Sequence, residues 1–312
     1  MARPYQPASS QIFGAAGGTL RGTAGNDDVY AGAGNEIVYG GGGFDFIDGG
    51  PGFDIAFFDG ASSRYNVTTV GGVVVVDDLQ TGTYDYLVNV ERLDFSDAQI
   101  PVSVPAFSPQ RYTATHPDLA LAFRDNSAIG AWHYAEIGAA EGRAAAGFDP
   151  LAYIASYADL SDALGVNVGA GINHYVRTGV VEGRSVTFDS FTYIASNDDL
   201  IQAFGANSNA GSTHYIQSGR FEGRPVNSFN GLEYIASHDD LIQAFGADYA
   251  SGTVHFITNG FNEGRARDSF DAAAYLSKYA DLQQAFAGNL DAATAHYISF
   301  GFNEGRSDDL IG

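Results

Sequence analysis

Hydrophobic and polar positions follow two different rhythms along this chain, and the change falls near residue 101. From Gly22 to Phe57 the pattern repeats every nine residues. Gly22–Tyr30, Ala31–Tyr39, Gly40–Asp48 and Gly49–Phe57 each run from a glycine-rich polar half into a short apolar half. The eighth position of each unit, Val29, Val38, Ile47 and Ala56, is apolar. This predicts a short strand whose eighth residue points inward and stacks on its equivalents. Two such units make one coil of the chain, so loops two units apart lie side by side. Residues 58–78 hold two β-rich runs around Gly71-Gly72, a two-residue hairpin turn, and residues 84–97 read as further strand. Together these predict a β cap over the open end of the coil, whose bare sheet edge would otherwise invite aggregation.

The second rhythm is longer. Tyr112, Tyr153, Tyr193, Tyr234 and Tyr275 are separated by 41, 40, 41 and 41 residues. His133, His174, His214, His255 and His296 keep the same step, as do Glu141, Glu182, Glu222, Glu263 and Glu304. In one copy, Asp149 and Pro150 open a helix as N-cap and first helical residue; a second helix is capped by Asp159 and stops at Gly165; a third carries residues 172–176 and ends at Gly179. Such a cluster of short helices cannot bury its own apolar face, and stacking of copies predicts a helical solenoid. The expected fold is thus mixed: an N-terminal parallel β-roll with a β-strand cap, then an all-α solenoid of five repeats of ~41 residues. The expected boundaries are a lead-in at 1–21, the roll at 22–57, the cap at 58–106, the helical repeats at 107–306 and a tail at 307–312.

The polar halves of the nine-residue units carry the candidate chemistry. Their glycines permit tight loops in which carbonyls converge on one point. The sixth position supplies a carboxylate each time: Asp27, Glu36, Asp45 and Asp54. The coil geometry sets Asp27 beside Asp45 on one edge and Glu36 beside Asp54 on the other. Carboxylates held so close repel unless a cation sits between them. The expected ligand set is Gly22, Ala24, Asp27, Gly32, Glu36, Gly40, Gly42, Asp45, Gly49 and Asp54. Oxygen-only ligands, no Cys and no His before His116 select Ca²⁺ over zinc or copper. The unit with Ala31 for its first glycine and Glu36 for Asp is the weakest of the four.

Composition narrows the field. The chain has 312 residues, with Asp+Glu 37 against Lys+Arg 15 and a formal charge of −22, so nucleic acid and anionic lipid are poor partners. The absence of Cys excludes disulfides, thiolate metal sites and Cys nucleophiles. The first ten residues lack the basic stretch and apolar run of a secretory signal. No run approaches the ~20 apolar residues of a membrane span. Nucleophile-elbow, zinc-helix and phosphate-loop motifs are missing, which argues against an enzyme. The five repeated histidines invite a haem or metal reading, but equivalent residues one repeat apart are too distant to share an ion. A half-buried hydrogen bond to a backbone carbonyl or a carboxylate is the expected role. Arg143, Arg184, Arg224, Arg265 and Arg306, two residues after the repeated glutamates, are expected to pair with them between adjacent copies and fix the stacking angle.

The nine-residue units resemble the calcium-binding repeat of RTX (hemolysin-type) proteins, G-G-x-G-x-D-x-U-x, and Asn89–Asp97 is similar to the strand-rich segment that often follows such coils. The longer repeat, Phe-Asp-x-x-x-Tyr…His-Tyr-x-x-x-Gly-x-x-Glu-Gly-Arg, resembles repeats of bacterial RTX-type surface proteins and of proteins alongside surface-polysaccharide glycosyltransferases. The resemblance implies Ca²⁺ as cofactor, export through a type I system and folding outside the cell; it ties the chain to no one activity, and binding or assembly at the cell surface or matrix is the expected role. Cell-surface polysaccharide and self-assembly are the expected partners. The alternatives are a carbohydrate-binding adhesin or surface-layer module, or a haem- or metal-binding protein using the histidines. The tail, Ser307–Gly312, is compatible with an export signal.

Overall fold

A computed structural model describes residues 2–308, so the tail reading falls, from residue 309 on, outside the described residues. The chain divides into two compact units. One comprises Met1–Asp149 and Ile172–Ser185, the other Pro150–Gly171 and Val186–Gly312.

The first unit holds eleven strands among the described residues: β1 (Ser10–Phe13), β2 (Gly18–Arg21), β3 (Asp27–Tyr30), β4 (Glu36–Tyr39), β5 (Phe46–Asp48), β6 (Ile55–Phe57), β7 (Tyr65–Val70), β8 (Val73–Asp78), β9 (Tyr84–Val88), β10 (Arg92–Asp94) and β11 (Gln99–Pro101). They form two mixed sheets, ordered β1-β3-β5-β9-β8-β7 and β11-β10-β6-β4-β2. The parallel register follows the nine-residue code taken two units at a time: Val29 lies against Ile47 and Val38 against Ala56. All four side chains are fully buried between the sheets, as the apolar eighth position requires.

Two boundaries differ from expectation. The lead-in is not outside the coil, because β1 pairs with β3 and β2 with β4, placing Ile12 beside Val29 and Leu20 beside Val38. Residues 10–21 keep the inward apolar positions of a coil and loop glycines at Gly14, Gly17 and Gly18, but lack the acid of the nine-residue code. The cap also continues both sheets instead of lying across their end. β9 pairs in parallel with β5, and β10 with β6, while β7 and β8 form the hairpin predicted around Gly71-Gly72.

Nor does the chain divide at residue 106. The first helical copy, with helices Pro109–Thr115, Pro117–Phe123 and Ser127–His133, buries Phe107, Tyr112, Leu119 and Tyr134 in one cluster with Phe46, Val73, Val75, Tyr86 and Val88. Strands with apolar residues on both faces need a cover on the outer face, and this copy supplies it. The amino-terminal segment is tied to the same unit. Arg3 pairs with Glu136 and Asp77, and the Trp132 indole N–H donates to the Arg3 carbonyl at 2.9 Å.

In the second unit one copy illustrates the helical repeat. Asn230 caps the helix Gly231–Ala236 by accepting from the amides of Leu232 and Glu233. The next helix, Asp239–Phe245, has no side-chain cap; Asp239 and Asp240 stand in its first turn, where negative charge is favoured. Asp159 holds the corresponding first-turn place in the helix Ala158–Leu164, behind Tyr157 at the N-cap position, so it is not the cap expected from the sequence. The third helix, Tyr249–His255, runs into a π-helical turn at Phe256–Gly260.

That turn brings the repeated tyrosine and histidine together. The hydroxyl of fully buried Tyr234 lies 3.0 Å from His255 Nδ1. A Cβ on Gly260 would sit 2.1 Å from the same hydroxyl, so only glycine leaves room for it. The pair recurs as Tyr112–His133 at 2.8 Å, Tyr193–His214 at 2.9 Å and Tyr275–His296 at 3.0 Å. The histidine partner is therefore a tyrosine of the same copy, not the expected carbonyl or carboxylate. Tyr234→Phe should destabilise the second unit by about 1–2 kcal/mol, by leaving a half-buried ring nitrogen unpaired. Denaturant unfolding followed by the helical dichroism signal of the full chain measures it.

The repeated arginines also close within a copy. Arg265 donates through Nε to Glu263 at 2.6 Å and through Nη1 to Asp240 at 2.9 Å. Arg143, Arg224 and Arg306 make the same triad with Glu141 and Asp118, Glu222 and Asp199, and Glu304 and Asp281. Arg184 pairs with Glu182 likewise. The expected bridge between copies is thus corrected. Gly264 between Glu263 and Arg265 is left-handed, at φ 69°, and folds both side chains back towards the start of the copy's own second helix. Within the second unit, ion pairs between copies come instead from arginines outside the periodic set, Arg220 with Asp162 and Arg267 with Asp198.

Candidate metal centre

The loops that precede the strands stack backbone on backbone. On one flank, residues 22–26 lie over residues 40–44: the Gly22 amide donates to the Tyr39 carbonyl at 2.7 Å and the Gly42 amide to the Thr23 carbonyl at 3.1 Å. A Cβ on Gly41, at φ +101°, would fall 1.8 Å from the Thr23 oxygen. On the other flank, residues 31–35 lie over 49–53, with the Gly34 amide donating to Pro51 at 2.9 Å. The sequence-predicted positions Gly22, Ala24, Gly40 and Gly42 are thereby gathered on the first flank, and Gly32 and Gly49 on the second.

The carboxylates form two ladders along these flanks. The Asp27 amide donates to Asp45 Oδ1 at 2.9 Å, and the Glu36 amide to Asp54 Oδ1 at 2.8 Å. The pairing of Asp27 with Asp45 and of Glu36 with Asp54 is the one the coil geometry predicts. All four residues are buried, at 0–3 % exposure. Asp27 Oδ2 accepts from the Thr23 amide at 2.5 Å and from its hydroxyl at 2.9 Å, and Glu36 Oε1 accepts from the Gly17 amide. Three oxygens remain: Asp27 Oδ1, Glu36 Oε2 and Asp54 Oδ2 are buried with no hydrogen-bond partner.

Two rungs lie beyond the nine-residue units. The Asp45 amide donates to Asp85 Oδ1 at 2.8 Å and the Asp54 amide to Glu91 Oε2 at 2.7 Å. Sequence reasoning missed both residues because they stand 40 and 37 places after their partners. A signal was present all the same. Each rung is an acid two residues before a buried apolar side chain, and Asp85-Tyr86-Leu87 and Glu91-Arg92-Leu93 keep that triplet.

The electrostatics are those of anions without a counter-charge. Burial, then the nearby Asp85, pushes the Asp45 carboxyl up to about 8. Burial also raises Asp54, to about 7, with the facing Glu36 carboxylate adding to the rise, and it raises Asp85 to about 7. A buried unpaired carboxylate is costly unless it is protonated, paired or bound to metal. The orphaned oxygens therefore fit a cation. The described residues hold no group of three or more His, Cys, Asp or Glu placed to bind an ion. An ion here must draw most of its ligands from loop carbonyls, which suits Ca²⁺ with its 6–8 oxygens and loose geometry, and not zinc.

The model of the RTX calcium-binding nonapeptide repeat (4 copies) matches residues 13–47 and, in an overlapping frame, 21–56. These residues are RTX nonapeptide repeats, which are calcium-binding motifs. The match starts inside the expected lead-in, in keeping with the strands there. No protein among the curated sequences compared matches the chain. Among solved structures, the extracellular lipase LipA from Serratia marcescens is similar over 31 % of this chain at 21 % identity, with a TM-score of 0.28; the chain spans 18 % of the length of that lipase. No helix among the described residues is long and apolar enough to cross a membrane.

Proposed function

We propose that this is a non-enzymatic calcium-binding extracellular protein that leaves the cell through a type I system, folds on Ca²⁺ outside, and acts in binding or assembly at the cell surface or matrix. The observation that carries the reading is the facing pair Glu36 and Asp54. Each is fully buried and each has an oxygen without a partner. On this reading one ion lies on the first flank, held by Asp27 and Asp45 with carbonyls of Gly22, Ala24, Gly40 and Gly42. Another lies on the second flank with Glu36, Asp54, Gly32 and Gly49. Extracellular calcium modules bind with dissociation constants of ~10⁻⁴–10⁻³ M, so occupancy changes between cytosol and exterior. Ligand that binds only the folded form then stabilises it by mass action.

The helical copies are assigned the role of a solenoid that presents a long face to a polymer, either surface polysaccharide or further copies of the chain. Five copies of one unit, each with its own Arg–Glu closure, support that role. Elemental analysis of protein equilibrated with calcium, zinc, iron and copper together tests the reading as a whole. Calcium in at least equimolar amount, with the transition metals at trace level, is the expected result. Stoichiometric haem, iron, copper or zinc without calcium overturns it.

A further inference from the structure

The nine-residue units end at Phe57, yet the strands after them repeat the bonding of the ladder. Ile47 pairs in register with Leu87 and Ala56 with Leu93, and Leu87 and Leu93 are both fully buried. Asp85 and Glu91, two residues before them, accept the amides of Asp45 and Asp54, as Asp45 and Asp54 accept those of Asp27 and Glu36. The contact is reciprocal. The Tyr86 amide donates back to the Asp45 carbonyl at 2.9 Å, and the amides of Glu91 and Arg92 to the Asp54 carbonyl at 3.0 and 3.2 Å. The residue clamped by Glu91 is the one whose other carboxylate oxygen is buried and orphaned.

We propose that Asp85 and Glu91 are positioning residues of the calcium centre, the last rungs of two three-carboxylate ladders (Asp27–Asp45–Asp85 and Glu36–Asp54–Glu91), so that the strands beyond the nonapeptides fold on Ca²⁺ together with them. This rests on the calcium reading above. Each rung fixes the main chain of the carboxylate in front of it and adds a negative charge that only a cation offsets. A plain acceptor would do the first and not the second.

Asp85→Asn and Glu91→Gln separate the two, since each retains an oxygen acceptor for the amide and removes the charge. In full-length protein, each substitution should raise the melting temperature in EDTA, because repulsion is relieved. Each should also raise the calcium concentration at half-maximal stabilisation by about fivefold or more, as loss of site charge does. Asp97→Asn, whose carboxylate accepts the Ser62 amide away from both ladders, should leave both numbers unchanged. Wild-type values for Asp85→Asn and Glu91→Gln, alongside a weakened Asp45→Asn, overturn the proposal and leave the calcium reading intact. Failure of wild type itself to respond to calcium overturns the reading beneath it. A variant that needs calcium to fold yields the same midpoint from its refolding titration.

Discussion

Excess EDTA added to the calcium-loaded chain is expected to melt the first unit while the second unit keeps its helices. With one ion on each flank at a hundredfold over its dissociation constant, mass action contributes about 5 kcal/mol. Removing it should lower the melting temperature of a unit of this size by about 10–20 °C. The loss will not be confined to strands. The helices from Pro109 to His133 cover the outer face of the sheet and share its core, so they should go with it. Hydrogen exchange with and without EDTA reads this out directly. Protection should vanish across β1–β10 and the first helical copy, and persist in the helices Gly231–Ala236 and Tyr249–His255. Equal protection in both conditions would contradict the calcium-dependent fold.

Stability should acquire a marked pH dependence when calcium is removed. In the calcium-free fold, Asp45, Asp54 and Asp85 have carboxyls raised to about 7–8, against about 3.9 in an unfolded chain. A carboxyl raised in the folded state stabilises fully below its unfolded value, and the contribution is lost as pH climbs through the folded value. The calcium-free protein should therefore weaken progressively as pH rises from about 4 to about 8, by on the order of several kcal/mol, the three groups being mutually coupled. His133, held down by burial, works the other way, but only below about pH 6.5. Calcium binds the ionised carboxylates, so the gain in melting temperature on adding Ca²⁺ should grow across the same interval. Melting curves at matched ionic strength, with CaCl₂ and with EDTA, test both slopes. A calcium-free protein that strengthens with rising pH would show that the ladders are not buried as described.

Much of the fold is legible in residue spacing. A nine-residue code with an acid at the sixth place and an apolar residue at the eighth leaves one way to stack, and it places Asp27 by Asp45 and Glu36 by Asp54. The coil is harder to read where only half of that code survives. Ile12 and Leu20 keep the inward position without the acid, and Asp85 and Glu91 keep the acid after an intervening hairpin. Both ends of the roll therefore lie beyond the residues over which the complete nine-residue code can be read. In the helical copies the period identifies which residues are equivalent but not whom they touch. Tyr234 and His255 recur at the same step, and nothing in that step distinguishes a partner within the copy from one in the next. The backbone decides it, through the π-helical turn that brings Gly260 against the tyrosine and the left-handed Gly264 that turns Arg265 inward.

Because each Arg–Glu–Asp triad closes inside a single copy, an in-frame duplication or deletion of one repeat length would leave every triad whole. Array length is thereby released from the constraint that usually holds internal charges in register, and lineages could lengthen or shorten the helical part without redesigning it. The unrepeated pairs, Arg220 with Asp162 and Arg267 with Asp198, behave differently. Each joins two particular copies, so an insertion or deletion of a repeat between them would break it.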